Sequence, residues 1–261
     1  MENLTRKLFY PIFLGMAFAI VLAFDWLLSD RLPLKIITTV GVFIMVGVTI
    51  YFERKQPYQK SWNKSKGDVV PDFVLTMIIF PVVIQLCRTL VDLYPASWKL
   101  ASIASLPLWF QVSVGVLAAE FLFYWIHRLC HENKRLWRIH VWHHSVKRVY
   151  WMNSGTLNPV DMVFNFVGYC LPFAVLAMDP RALEYALYFT AITGLLEHAN
   201  VDFKAGKLNY FFNTAELHRW HHSVVVKESQ KNYGKALSIW DLVFGTFYYP
   251  PRRQVKKVGL G

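Results

Sequence analysis

The stretch EFLFYWIHRLCHENKRLWRIHVWHH, residues 120–144, decides how this chain is read. It begins as the end of an apolar run and passes into a histidine-rich segment. His127 and His131 are four residues apart, so on a helix they stack on one face. His140, His143 and His144 stand at i, i+3 and i+4, within about 100° of a helix surface. His131 and His140 are nine apart, which is half a turn out of phase on one continuous helix. If both face one site, the helix must break between them. The polar run His131-Glu-Asn-Lys-Arg135 is where a break is predicted.

Working outward, all nine histidines lie between residues 127 and 222. The i, i+3, i+4 triplet recurs at His218, His221 and His222, and His198 stands alone. Neutral imidazole is a good ligand for iron, zinc, copper and nickel. A single catalytic zinc is held by about three protein ligands, so nine imidazoles exceed the needs of one ion. Two ions with four or five ligands each, and open positions, fit the number. The motif positions hold no Asp or Glu, which favours a redox metal over a hydrolytic pair. Candidates to orient the rings by hydrogen bonding are Glu132, Glu197, Asn200, Asp202 and Glu216. No catalytic residue beyond the ligands is read.

The rest of the chain is apolar. Hydrophobic residues make up 55% and charged residues 17%, against about a quarter charged in soluble domains. Uncharged runs at 8–24, 36–52, 73–87 and 100–119 are long enough to span a bilayer. Two further runs, 162–178 and 185–196, are separated only by Asp179-Pro180-Arg181 and read as a helical hairpin. The basic start at Arg6 and Lys7 has no cleavage-like site after the first run, so that run is read as a retained helix. The fold class expected is all-α: a polytopic membrane bundle of about four spans plus a short hairpin, with a histidine-rich helical cap. The organisation expected is membrane helices over 1–114, a catalytic region over 115–250 and a basic tail over 251–261, solvated or facing lipid.

The net charge of +11 is concentrated beside apolar runs. That suits anionic lipid headgroups and not nucleic acid. Residues 53–68 carry five Lys or Arg and 95–105 carry only Lys99, which places the histidines on the cytoplasmic face. Tyr124, Trp125, Trp142, Tyr150 and Trp151 read as an interfacial aromatic belt or, alternatively, as a tunnel lining. Cys87, Cys130 and Cys170 show no C-x-x-C spacing and read as apolar fillers.

At this point the sequence resembles the fatty acid hydroxylase superfamily, also called the sterol desaturase family. The matching pieces are His127-x3-His131, His140-Val-Trp-His143-His144, His198-Ala-Asn-Val and His218-Arg-Trp-His221-His222. Supporting them are Asn158-Pro-Val-Asp161, Asn232-Tyr-Gly234 and Trp240-Asp-Leu-Val-Phe-Gly-Thr246. The likeness covers roughly 115–250. It implies a non-haem di-iron membrane oxygenase that hydroxylates or desaturates a lipid-like substrate with O2. By it all nine histidines carry over as ligands to two Fe ions, with Zn able to substitute on purification. One departure is local: residues 153–158 stand where a longer basic, histidine-bearing stretch is expected, which bears on substrate entry.

Two other classes stay open on the residues alone. A zinc-dependent membrane hydrolase would want a general-base Glu, but H-E-x-x-H is missing. A non-enzymatic metal-binding or transport protein would want polar groups inside the spans. The chain carries no dinucleotide fingerprint and no Cys cluster. An external electron donor, such as a ferredoxin, cytochrome or reductase, is therefore implied. A bacterial inner membrane is favoured over the endoplasmic reticulum as its location.

Overall fold

The structure is a computed structural model that describes residues 2–250 and 253–260. Among the described residues it is helical, with isolated β-bridges and no strand. Four helices are long and apolar enough to cross a membrane, and the chain is an integral membrane protein. They are α1 (Glu2–Leu28), α2 (Leu34–Lys55), α3 (Val69–Asp92) and α4 (Leu108–Glu132). Many of their large apolar side chains point outward, including Trp26, Phe43, Val82 and Trp109. In a soluble protein such a surface would aggregate; in a bilayer it faces lipid.

The cap follows at once. Asn133 ends α4 in an extended conformation and caps α5 (Lys134–His144), its side chain accepting from the Arg135 and Leu136 N–H groups. The predicted break between His131 and His140 is therefore present, made by one residue. Two further helices, α6 (Pro159–Val175) and α7 (Pro180–His198), begin on Asn158 and Asp179 caps with proline in the first turn. α6 packs mainly on α3 and α4, and α7 on α2 and α4. One core joins α1, α2 and the C-terminal half of α7 around Tyr10, Phe13, Met45, Tyr188 and Ile192. A second joins α3, α4, α6 and the start of α7 around Cys87, Met162, Tyr169 and Phe173. All three cysteines are buried and free.

Three expectations are corrected. The fourth apolar run is not helical from residue 100. Residues 100–107 form an irregular segment whose Leu100 and Ile103 N–H groups bond to the Val175 and Leu176 carbonyls, and Pro107 delays the helix to Leu108. The C-terminal segment is not a free basic tail. Val255 is buried, its carbonyl accepts from Tyr58, and the Gly259 N–H bonds to the His222 carbonyl. Its charged side chains, such as Lys256 and Lys257, face outward, as do Gln254 and Leu260; Pro251, Arg252 and Gly261 lie outside the described residues. The aromatic belt does not hold for Tyr124 and Tyr150, which are buried and bonded to Thr246 and Asp72.

One irregularity in α3 bears on the site. Val74–Ile79 is π-helical, a conformation often found where function requires it. Thr76 Oγ1 donates to the Met152 carbonyl at 2.7 Å. A Cβ on Gly155 would sit 2.8 Å from that hydroxyl and 2.9 Å from the Thr76 backbone, so only glycine permits this approach. The contact fixes residues 151–155 over α3.

Candidate metal centre

The nine histidines converge on α4, α5, α7 and a short helix α8 (Ala215–His221) with the His222 that follows it. They form two groups. His127, His131, His140, His144 and His221 offer ligand atoms within 4.8 Å of one another, and so do His143, His198, His218 and His222. Each H-x-x-H-H triplet is therefore divided. The i and i+4 residues of α5 join the first group and its i+3 residue joins the second; α8 does the reverse. The division interlocks the two groups, with the His144 and His222 rings 4.8 Å apart and those of His140 and His143 at 5.6 Å.

The protonation pattern tests whether the site suits metal. His127 Nδ1 faces the Tyr233 carbonyl at 2.7 Å, and His140 Nδ1 faces Asp161 Oδ2 at 2.8 Å. Each Nδ1 must carry the proton to donate, which leaves each Nε2 with a bare lone pair. These two Nε2 atoms nevertheless lie 3.1 Å apart. The second group repeats this. His143 and His198 donate from Nδ1 to the Thr156 and Gly194 carbonyls, while their Nε2 atoms stand 3.4 Å apart. His218 Nε2 lies 3.0 Å from the Nε2 of both His198 and His222. Facing lone pairs repel unless a cation lies between them. Two nitrogens bound at about 2.1 Å to one ion, at octahedral to tetrahedral angles, are about 3.0–3.4 Å apart. The spacing thus fits a cation in each group. His131, His144 and His221 Nε2 are buried without a partner, as donors held for an ion would be.

Burial, reinforced by neighbouring imidazoles, holds His143, His144, His218 and His222 far below their usual pKa. Burial brings His221 to about 3 despite its bond to the Lys231 carbonyl. All are neutral at pH 7, the form that binds metal.

None of the residues predicted to orient the rings hydrogen-bonds to one. Glu132 pairs with Arg128, and Asp202 with Arg6. Asn200 holds Gln59 and Asn63, and Glu216 receives Lys204 and the Ala205 N–H. Glu197 lines the cavity beside the histidines, with Oε1 buried and unpartnered. The ring-orienting carboxylate is Asp161, fully buried, whose Oδ1 accepts from Asn165. It lay inside the quoted Asn158–Asp161 motif, which was the available signal. The other acceptors are backbone carbonyls, and no side-chain pattern announces them. Asp241 sets one of these carbonyls: it accepts from the Tyr233 and Gly234 N–H groups and from Thr246. Arg219, buried within the second triplet, donates to the Ala199 and Val201 carbonyls at 2.8 Å and ties α8 to the end of α7.

A cavity of about 40 Å³ abuts the histidines, bounded by Phe123, Leu157, Phe166 and Tyr169. Ser154, Phe166 and Lys235 also border a second cavity of about 220 Å³. That space lies between α2, α3 and α7, with Val42, Val46, Phe80, Ile84 and Leu195 in its walls. Trp151 lines it, so one of the five predicted aromatics takes the tunnel position. Cys130 Sγ lies within 4.8 Å of His140 and Asp161 donor atoms, but His140 already belongs to the first group.

The fatty acid hydroxylase family model matches residues 112–246. The chain is 36% identical to the ornithine lipid hydroxylase OlsE of Rhizobium tropici, over 82% of this chain and 68% of that protein. It is 32% identical to human alkylglycerol monooxygenase, over 53% of this chain but only 30% of the relative. It is 25% identical to the very-long-chain aldehyde decarbonylase GL1-8 of Oryza sativa subsp. indica, over 79% and 81% of the two chains. No solved structure matches. A histidine arrangement suited to two cations, on a membrane bundle, coincides with the region the family model covers: the chain belongs to the fatty acid hydroxylase family.

Proposed function

We propose that this protein is a membrane-bound oxidoreductase, a di-iron oxygenase that hydroxylates or desaturates a lipid-like substrate with O2 and externally supplied electrons. The observation that carries the reading is the opposition of imidazole Nε2 lone pairs in two adjacent groups of five and four beside an apolar cavity. Its relatives' names, ornithine lipid hydroxylase and alkylglycerol monooxygenase, agree with oxidation of lipids. Two irons bound there would supply reduction of O2 and oxidation of an unactivated C–H bond.

The chain's own residues do the rest. The nine histidines are the proposed ligands, and Asp161 with the Tyr233, Thr156, Gly194 and Lys231 carbonyls holds Nδ1 protonated on five of them. Phe123, Leu157 and Phe166 exclude water from the cavity side. The larger cavity admits hydrocarbon from the bilayer between α2 and α3. Residues 115–250 form the catalytic region in this reading, and 1–114 its membrane scaffold. The histidine face is cytoplasmic, in a bacterial inner membrane.

The test is conversion of a membrane lipid extract by the protein in nanodiscs, supplied with O2 and a chemical reductant. Products gaining one oxygen from 18O2, or losing two hydrogens, support the reading. Turnover without O2 by a zinc-loaded protein would overturn it.

A further inference from the structure

The histidine cluster has two unlike sides. The cavity touches His127, His140, His143, His198 and His218, and it does not touch His131 or His144. On that second side stands Trp137. Its ring centroid lies 5.2 Å from His131, 5.3 Å from His144 and 6.2 Å from His140. All three belong to the five-histidine group. Trp137 is half-buried, so it reaches from these rings to the surface. Lys134 lies one turn before it on α5 and Arg138 directly after it. Both are exposed, as is Arg135, and none makes an ion pair among the described residues. α5 contains no acidic residue, and the adjacent Glu132 is neutralised by Arg128 at 2.7 Å. The result is a basic rim around one aromatic ring that contacts three proposed ligands.

We propose that Trp137, with Lys134 and Arg138 beside it, is the docking and electron-entry port for an acidic one-electron carrier protein, and that electrons enter at the five-histidine group. The proposal rests on the di-iron reading above. Electron transfer decays steeply with distance, so an aromatic ring that reaches from the ligands to the surface shortens the route from a docked carrier. Each event would oxidise one reduced carrier and pass one electron to the metal pair that the histidines would hold. Two such events, with two protons from solvent, balance the conversion of R–H and O2 to R–OH and H2O. A basic rim steers an acidic partner and raises its association rate, most strongly at low salt. The cavity on the opposite side stays free for substrate.

The experiment uses the iron-loaded full chain in neutral nanodiscs. Stopped-flow absorbance follows ferric reduction by reduced plant-type [2Fe–2S] ferredoxin, an acidic carrier, and separately by dithionite. K134E/R138E is expected to slow reduction by ferredoxin at least tenfold at low ionic strength and to flatten its salt dependence. Its dithionite rate and iron content should stay unchanged. W137L is expected to slow electron transfer from bound ferredoxin without weakening ferredoxin binding, and W137F to restore most of the rate. K60E/K64E, a reversal of exposed charges elsewhere on this face, should change neither rate. An unchanged ferredoxin rate in K134E/R138E overturns the docking site. An equal loss with dithionite overturns it as well, because the residues would then be structural. If the loss occurs only in anionic nanodiscs, the rim contacts lipid and the proposal falls. Equal rates in W137L, W137F and the unaltered chain overturn the role of the ring. A chain that binds no reducible iron even for dithionite fails the di-iron reading itself, whatever the variants do.

Discussion

Replacing Asp161 with alanine tests how the histidine rings are held. Asp161 is fully buried, with one oxygen 2.8 Å from His140 Nδ1 and the other 2.8 Å from Asn165 Nδ2. The substitution removes both acceptors and frees His140 to rotate or to change tautomer. Loss of such a partner lowers metal affinity by about 10–100-fold, or about 1.4–2.8 kcal/mol. The five-histidine group contains His140 and should take the loss, while the four-histidine group keeps its own carbonyl partners. Competition against a chelator, with Co2+ as a spectroscopic probe, measures the two affinities. D161A is expected to weaken one of two ions by that factor and leave the other within about twofold. N165A breaks only the outer bond and should have a smaller effect. Unchanged affinity at both sites in D161A would refute the reasoning, as would equal loss at both.

Other outcomes follow from the same geometry. H143A and H221A should each remove one ion from a different group, so each retains about one metal per chain by elemental analysis and neither turns over; retention of two ions by either removes that histidine from the ligand set. G234A places a Cβ 2.2 Å from the Leu237 carbonyl oxygen and 2.9 Å from Asp241 Oδ2. Because the first obstacle is backbone, it should destabilise by about 1–3 kcal/mol and lower the melting temperature measured in detergent. Burial alone would raise the Asp68 pKa, but its bonds from Arg148, at 2.7 and 2.9 Å, outweigh burial and hold it below the usual carboxylate range. A carboxyl with a depressed folded-state pKa stabilises above its unfolded value and loses that contribution as pH falls through the folded one. D68N should therefore be less stable than the unaltered chain at pH 7, and the gap should close as pH drops below about 4. A gap constant from pH 7 to pH 3 would contradict this.

Much of the architecture was legible because its causes are local. Apolar length set the first three spans, and the phase mismatch between His131 and His140 required the break that Asn133 makes. The missed start of α4 has a local cause too, because Pro107 overrides the apolar run. The histidines could be assigned by spacing to one site with four or five ligands for each of two ions, but not sorted residue by residue between the two groups. That division depends on how α5 and α8 cross, a tertiary matter. The ring acceptors were least legible, because four of the five are main-chain carbonyls, which no side-chain pattern marks. The C-terminal segment misled for a related reason. Its lysines read as solvated, while its backbone ties down His222.

In the function proposed above, nine histidines hold two metal ions as a redox pair. Iron content and Mössbauer spectroscopy of the full chain, produced with 57Fe and purified without chelators, test it most directly. About two irons per chain, coupled to one another, are expected, and about one in H143A and in H221A. A single iron, or two irons unaffected by either substitution, would contradict it.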